Sequence, residues 1–206
     1  TDRAGYPRDH PVPDGQAAPA RLTGGSSNPL IGARVLVRAL VLGLGAGVLL
    51  TAAHWLLPDQ WAVLAGTSAL WGVVCLVAGR SRGYRAVDGA LAGVAAMVGV
   101  LIPWLAVHAA STSPSELALW MTVGPAAGVI CGATGAISTT AGRRGALAAG
   151  VVPGIVGGEA TYGLLLIGGP AWRVEALLAV VLLAVASRRG DRLISVGPAA
   201  VVVALA

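Results

Sequence analysis

The sequence predicts an all-α fold: a polytopic membrane bundle of six or seven transmembrane helices, with the N-terminus cytoplasmic. Three observations predict it. Only 11% of the 206 residues are charged and 56% are apolar, against about 25% charged in soluble domains, and the mean hydropathy is +0.79. Apolar runs of spanning length follow one another through most of the chain. The basic residues, all arginine, fall in alternate connections between those runs.

Residues 1–30 form a polar tail with five prolines. Such a segment buries too little apolar surface to offset its ordering entropy. It also lacks the charged start, hydrophobic core and small-residue cleavage site of a secretory signal. It is expected to be a disordered cytoplasmic tail, with residues 31–206 forming the transmembrane domain. The first span covers Val35–Leu57, the second Trp61–Gly79 and the third Val87–Ala109. The fourth runs over Leu117–Ile137, the fifth over Gly145–Gly169 and the sixth over Trp172–Ser187. A seventh segment, Ile194–Ala206, reaches about 20 Å as a helix, short of the roughly 30 Å hydrocarbon core.

Orientation follows from arginine. Arg34, Arg38, Arg80, Arg82, Arg85, Arg143, Arg144, Arg188, Arg189 and Arg192 flank one set of span ends, and Arg173 stands alone on the other. That bias places the N-terminus inside. Trp55, Trp61, Trp104, Trp120 and Trp172 fall near the opposite ends, as an outer interfacial belt would. The net charge of +5 is therefore a topology signal, and no aromatic–basic interleaving points to nucleic acid.

Small residues recur every fourth position in the fourth span (Gly124, Gly128, Gly132, Ala136) and the fifth (Ala146, Gly150, Gly154, Gly158). This spacing puts them on one face and lets membrane helices approach closely. The two stripes are expected to face each other, with shorter ones on the first span (Gly43, Gly47, Thr51) and third (Gly89, Gly93). Pro103, Pro125 and Pro153 lie inside spans and should kink them. Pro125 frees the Met121 carbonyl, a candidate acceptor for a protonated Glu159. Gly72–Gly93 and Gly128–Ala149 align without gaps at a shift of 56 residues, with eight identities and the two cysteines superposed. The alternatives are a duplicated hairpin and a chance match of Gly/Ala-rich helices.

Chemistry centres on Glu159, a carboxylate inside the fifth span. On mild insertion scales an acid at the helix centre costs about 2.5–3.5 kcal/mol, and such residues mark functional pathways. Tyr162 lies three residues on, on a nearby face, and His54 and His108 sit near the outer ends of spans one and three. These four are the candidate ligand-binding residues, and the catalytic assignment is left blank. Histidines near helix ends are more often interfacial than ligands, and Tyr162 reads alternatively as an interfacial aromatic with its hydroxyl satisfied locally. Asp59, Glu116 and Glu175 read as solvated helix ends. Cys75 and Cys131 lack ligand spacing and read as small core residues. No Walker loop, HExxH or GxSxG is present, so no metal and no cofactor are called for.

The segments LTAAHWLLPDQWAVLAGTSALWGVVCLVAG, DGALAGVAAMVG, TVGPAAGVICGATGAI and GALAAGVVPGIVGGEATYGLL resemble a family of small actinobacterial multi-pass membrane proteins known only as a domain of unknown function. The resemblance covers about residues 35–187 and is most distinctive in GPAAG of span four and GEATYG of span five. It implies an integral inner-membrane protein and no activity. Three functions fit the residues: a binding or transport module for a small solute centred on Glu159, a membrane enzyme acting on a lipid or prenyl substrate with Glu159 as general acid, and an accessory structural subunit. The partners to expect are the bilayer, a small solute or lipid-borne substrate, and a second copy or another membrane subunit.

Overall fold

In the computed structural model the described residues are 29–81 and 83–187, and they are almost entirely helical. The helices are α1 (Pro29–Leu56), α2 (Asp59–Gly66), α3 (Ser68–Gly79), α4 (Ala86–His108), α5 (Pro114–Ile137), α6 (Arg143–Tyr162) and α7 (Pro170–Ser187), with a π-helical turn (Gly163–Ile167) continuing α6. Five stretches are long and apolar enough to cross a membrane: α1, α2 with α3, α4, α5, and α6 with its π turn. The sixth expected span is α7, described over eighteen residues. The tail expected at 1–30 lies outside the described residues but for the first turn of α1, and so does the seventh segment, Ile194–Ala206.

Local chemistry sets the ends. At α5 the Ser113 hydroxyl accepts from the Glu116 N–H at 3.2 Å, and Pro114 occupies the first helical position, which needs no donor. At α4 the Arg85 N–H donates to Asp88 at 3.0 Å, placing an acid where the helix dipole favours it. Pro103, Pro125 and Pro153 all lie inside helices. The second span is the exception to the expected architecture: it breaks into α2 and α3 at Thr67, whose backbone is extended (φ −70°, ψ 136°).

The core is built on glycine, with α4 at its centre. On one side α1 runs parallel to it, and a Cβ on Gly43 would strike the Ala96 carbonyl, while one on Gly47 would meet Val100 and Pro103. On the other side α5 runs antiparallel: a Cβ on Gly93 would strike the Gly128 carbonyl, and one on Gly132 the Gly89 carbonyl. The glycine stripe of α5 therefore packs on α4, not on α6 as expected. Gly89 and Gly93 already supply the complementary four-residue stripe, and α6 packs chiefly against α7. Four-residue spacing identifies a contact face without identifying its partner.

The 56-residue echo has a structural counterpart. Helices α3 and α5 run parallel in contact, and a Cβ on Gly79 would strike the Gly132 carbonyl while one on Gly135 would strike that of Leu76. The shift carries Gly79 onto Gly135 and Leu76 onto Gly132, so the two contacts exchange with each other. The reciprocity stops at this seam: under the same shift the α4–α5 packing should recur between α3 and α6, and α5 packs extensively on α4 while α3 meets α6 only slightly. Cys75 and Cys131 are free, buried and close to this seam.

Candidate functional site

The break in the second span defines the site. At Thr67 the hydroxyl turns back to donate to the Leu64 carbonyl at 3.1 Å, so it closes α2 and does not cap α3. The first turn of α3 is left with free N–H groups at its positive end. Glu159 of α6 meets them from 91 residues away. The Ser68 N–H donates to its Oε1 at 3.2 Å, and the Ser68 hydroxyl and the Ala69 N–H donate to its Oε2, each at 2.8 Å. The intramembrane acid is thus an acceptor of three hydrogen bonds that fasten α6 to a split helix. The Met121 carbonyl is not its partner, a correction that follows from the polarity of a helix N-terminus, which offers donors only.

A second acid lies within electrostatic reach of Glu159. Glu175 of α7 is 1% exposed, and neither carboxylate oxygen has a hydrogen-bond partner among the described residues. The sequence reading of Glu175 as a solvated helix end is corrected. Ala171, Trp172, Glu175 and Ala179 are all buried, and the last three follow at i, i+3 and i+7, the spacing of one apolar face. That periodicity was present in the sequence, and the nearby Arg173 masked it. Asp59 and Glu116 are exposed, as expected of helix ends.

Beside the break stands an aromatic wall. Trp71, one turn into α3, is 2% exposed and packs on Trp104 and Trp120 with ring centroids 5.5 and 5.4 Å away. Trp104 lies 3.4 Å from a Cβ built on Gly66 and stacks on His108 at 4.1 Å. His54 meets Trp104 and His108, each at 5.3 Å. Because carbonyls only accept, the Nδ1–H of His108 donates to Trp104 at 2.9 Å and that of His54 to Ala62 at 3.3 Å. Trp55 is exposed, but Trp172 is buried with its ring over Gly163, and Trp104 and Trp120 are half-buried in the wall.

Of the four candidate residues, Glu159 thus binds the break, and the two histidines meet each other at the end of the wall. Tyr162 is 49% exposed on α6 and makes no hydrogen bond among the described residues. Just beyond it the Gly168 N–H donates to the Gly163 carbonyl at 2.7 Å, closing the π turn, and Gly168 and Gly169 take positive φ to reach α7. No cluster of three or more metal-ligating side chains forms among the described residues. Over residues 27–206 the chain matches the sequence model of a family of unknown function (DUF6518). No curated protein matches it, and no solved structure does.

Proposed function

The chain belongs to that family of unknown function, and on the geometry of its split helix we propose that it is a membrane binding or transport module for a small cationic solute. The carrying observation is a discontinuous span held at its break by Glu159, with a second acid in electrostatic reach. Glu159 is held by three donors, and Glu175 is buried with both oxygens unpartnered among the described residues. Broken membrane helices concentrate unpaired backbone polarity at membrane depth, and solute and ion sites of transporters are built on them. In this reading a cation or amine settles between the acids and the aromatic wall, where Trp71 and Trp104 offer π faces. Tyr162, His54 and His108 are the further candidate ligands in this reading.

The test is thermal stabilisation of the purified protein by sodium, potassium, methylammonium, guanidinium and choline. At least one should raise Tm, and the rise should vanish in Glu159→Gln. If none stabilises the wild type, or the rise persists in that variant, the proposal is wrong.

A second reading, an enzyme acting on a lipid or prenyl substrate, is favoured by one observation. Ser68 is exposed on the side of the bundle, so a substrate lying in the bilayer could reach the Glu159 clamp laterally. Retention of a lipid on purification, lost in Ser68→Trp, would support it.

A further inference from the structure

We propose that Glu175 is a proton-binding residue, and that its proton governs whether Glu159 keeps the α2–α3 break closed. The inference deepens the transport reading by naming the coupling ion, and it rests on that reading for its role in transport. Glu175 is 1% exposed, and both its oxygens are unpartnered among the described residues. An ionised carboxylate so withdrawn from solvent and without a donor is in a state that buried acids escape by taking up a proton or a cation. Glu159 needs no such relief, because three donors from α3 already satisfy its oxygens. Of the two acids in electrostatic reach, Glu175 is the one that carries the proton.

The surroundings leave little else to neutralise it. α7 packs against α6, α2 and the π turn. The titratable groups of α6 are Glu159, Tyr162 and, at its far end, Arg143 and Arg144. α2 brings Asp59, which is exposed, and the π turn brings none. On α7 itself Arg173 is exposed, two residues from Glu175 and off its buried face. No described cation faces the carboxyl. When its O–H bond breaks, the proton passes to water and the electron pair remains as a second negative charge beside Glu159. Two such charges repel strongly at low dielectric. Relief comes either from an entering cation or from withdrawal of Glu159 from Ser68 and Ala69, which frees the break. Proton and solute cation thereby exclude each other, and the protein exchanges one for the other.

The test needs no solute. The full chain in lipid nanodiscs is titrated from acid to alkaline pH by infrared difference spectroscopy, with tryptophan fluorescence read in parallel. A protonated-carboxyl C=O band should be present at neutral pH in wild type and in Glu159→Gln. It should be absent in Glu175→Gln and moved in frequency in Glu175→Asp, which carries the test should the glutamine variant fail to fold. Loss of the band at alkaline pH should coincide with a fluorescence change that disappears in Trp71→Phe and in Glu159→Gln. Absence of the band at every pH, or an unmoved band of equal size in both Glu175 variants, overturns the proton assignment. A fluorescence change that persists in Glu159→Gln overturns the link to the clamp. Either failure would leave cation stabilisation through Glu159 standing, so this inference and the transport reading can fail separately.

Discussion

Replacing Glu159 by glutamine should loosen the second span locally, by an amount that follows from the three bonds at its carboxylate. The substitution removes the charge facing the N-terminus of α3, worth 0.3–1 kcal/mol at exposed sites and up to about 2 when partly buried. It also turns an amide NH2 toward one of the three donors, which leaves that donor unpaired at about 1–3 kcal/mol. The sum is about 1–5 kcal/mol, toward the lower end because Ser68 is exposed. At a factor of ten per 1.4 kcal/mol, amide hydrogen exchange at Ser68 and Ala69 should accelerate by roughly 5- to 4,000-fold. Ser68→Ala removes one donor and should cost about 0.5–1.5 kcal/mol. The double variant should lose less than the sum, with a coupling of at least about 0.5 kcal/mol, since both changes strike one set of bonds. Exchange unchanged in Glu159→Gln, or fully additive losses in the cycle, would refute the clamp.

Other expectations concern the packing. Gly132→Ala should destabilise by about 3 kcal/mol or more in thermal unfolding, because its Cβ meets the Gly89 backbone, which cannot give way. Gly45→Ala, where a Cβ meets nothing within 4 Å, should be neutral or stabilising by up to about 1 kcal/mol. Gly163→Ala should be severely destabilising because the Trp172 ring occupies the place of its Cβ, and Trp172→Val should recover part of the loss. Cysteines placed at Thr112 and Ala141 should label from opposite sides of a sealed vesicle, with Ala141 facing the cytoplasm, while Cys75 and Cys131 stay unreactive until unfolding. Labelling of both loops from one side would break the topology.

Much of this architecture is written in the sequence, because the bilayer demands long apolar helices and offers few alternatives. The five spanning stretches, the internal prolines, the buried cysteines and the contact faces all follow from run length and four-residue spacing. The choice of partner for each face does not. The α5 stripe could have met α6, and only the three-dimensional arrangement of α4 decided it. Glu159 stood out because an acid in an apolar run is conspicuous by itself. Its partners did not, because Gly66, Thr67 and Ser68 are poor helix formers that many continuous membrane helices tolerate. Glu175 was missed for a related reason: nearness to a charged neighbour and a helix start outweighed its place on a buried face.

The seam between α3 and α5 has one more implication. The same 56-residue shift that matches the hairpins carries Ser68 onto Gly124 and Ala69 onto Pro125. In the first copy the chain parts at this level and offers an N–H to Glu159. In its twin α5 continues without interruption, and proline has no hydrogen there to give. Whatever the origin of the echo, the two stretches differ at the very level that holds the acid: one is broken there and bonded to Glu159, and the other runs through unbroken.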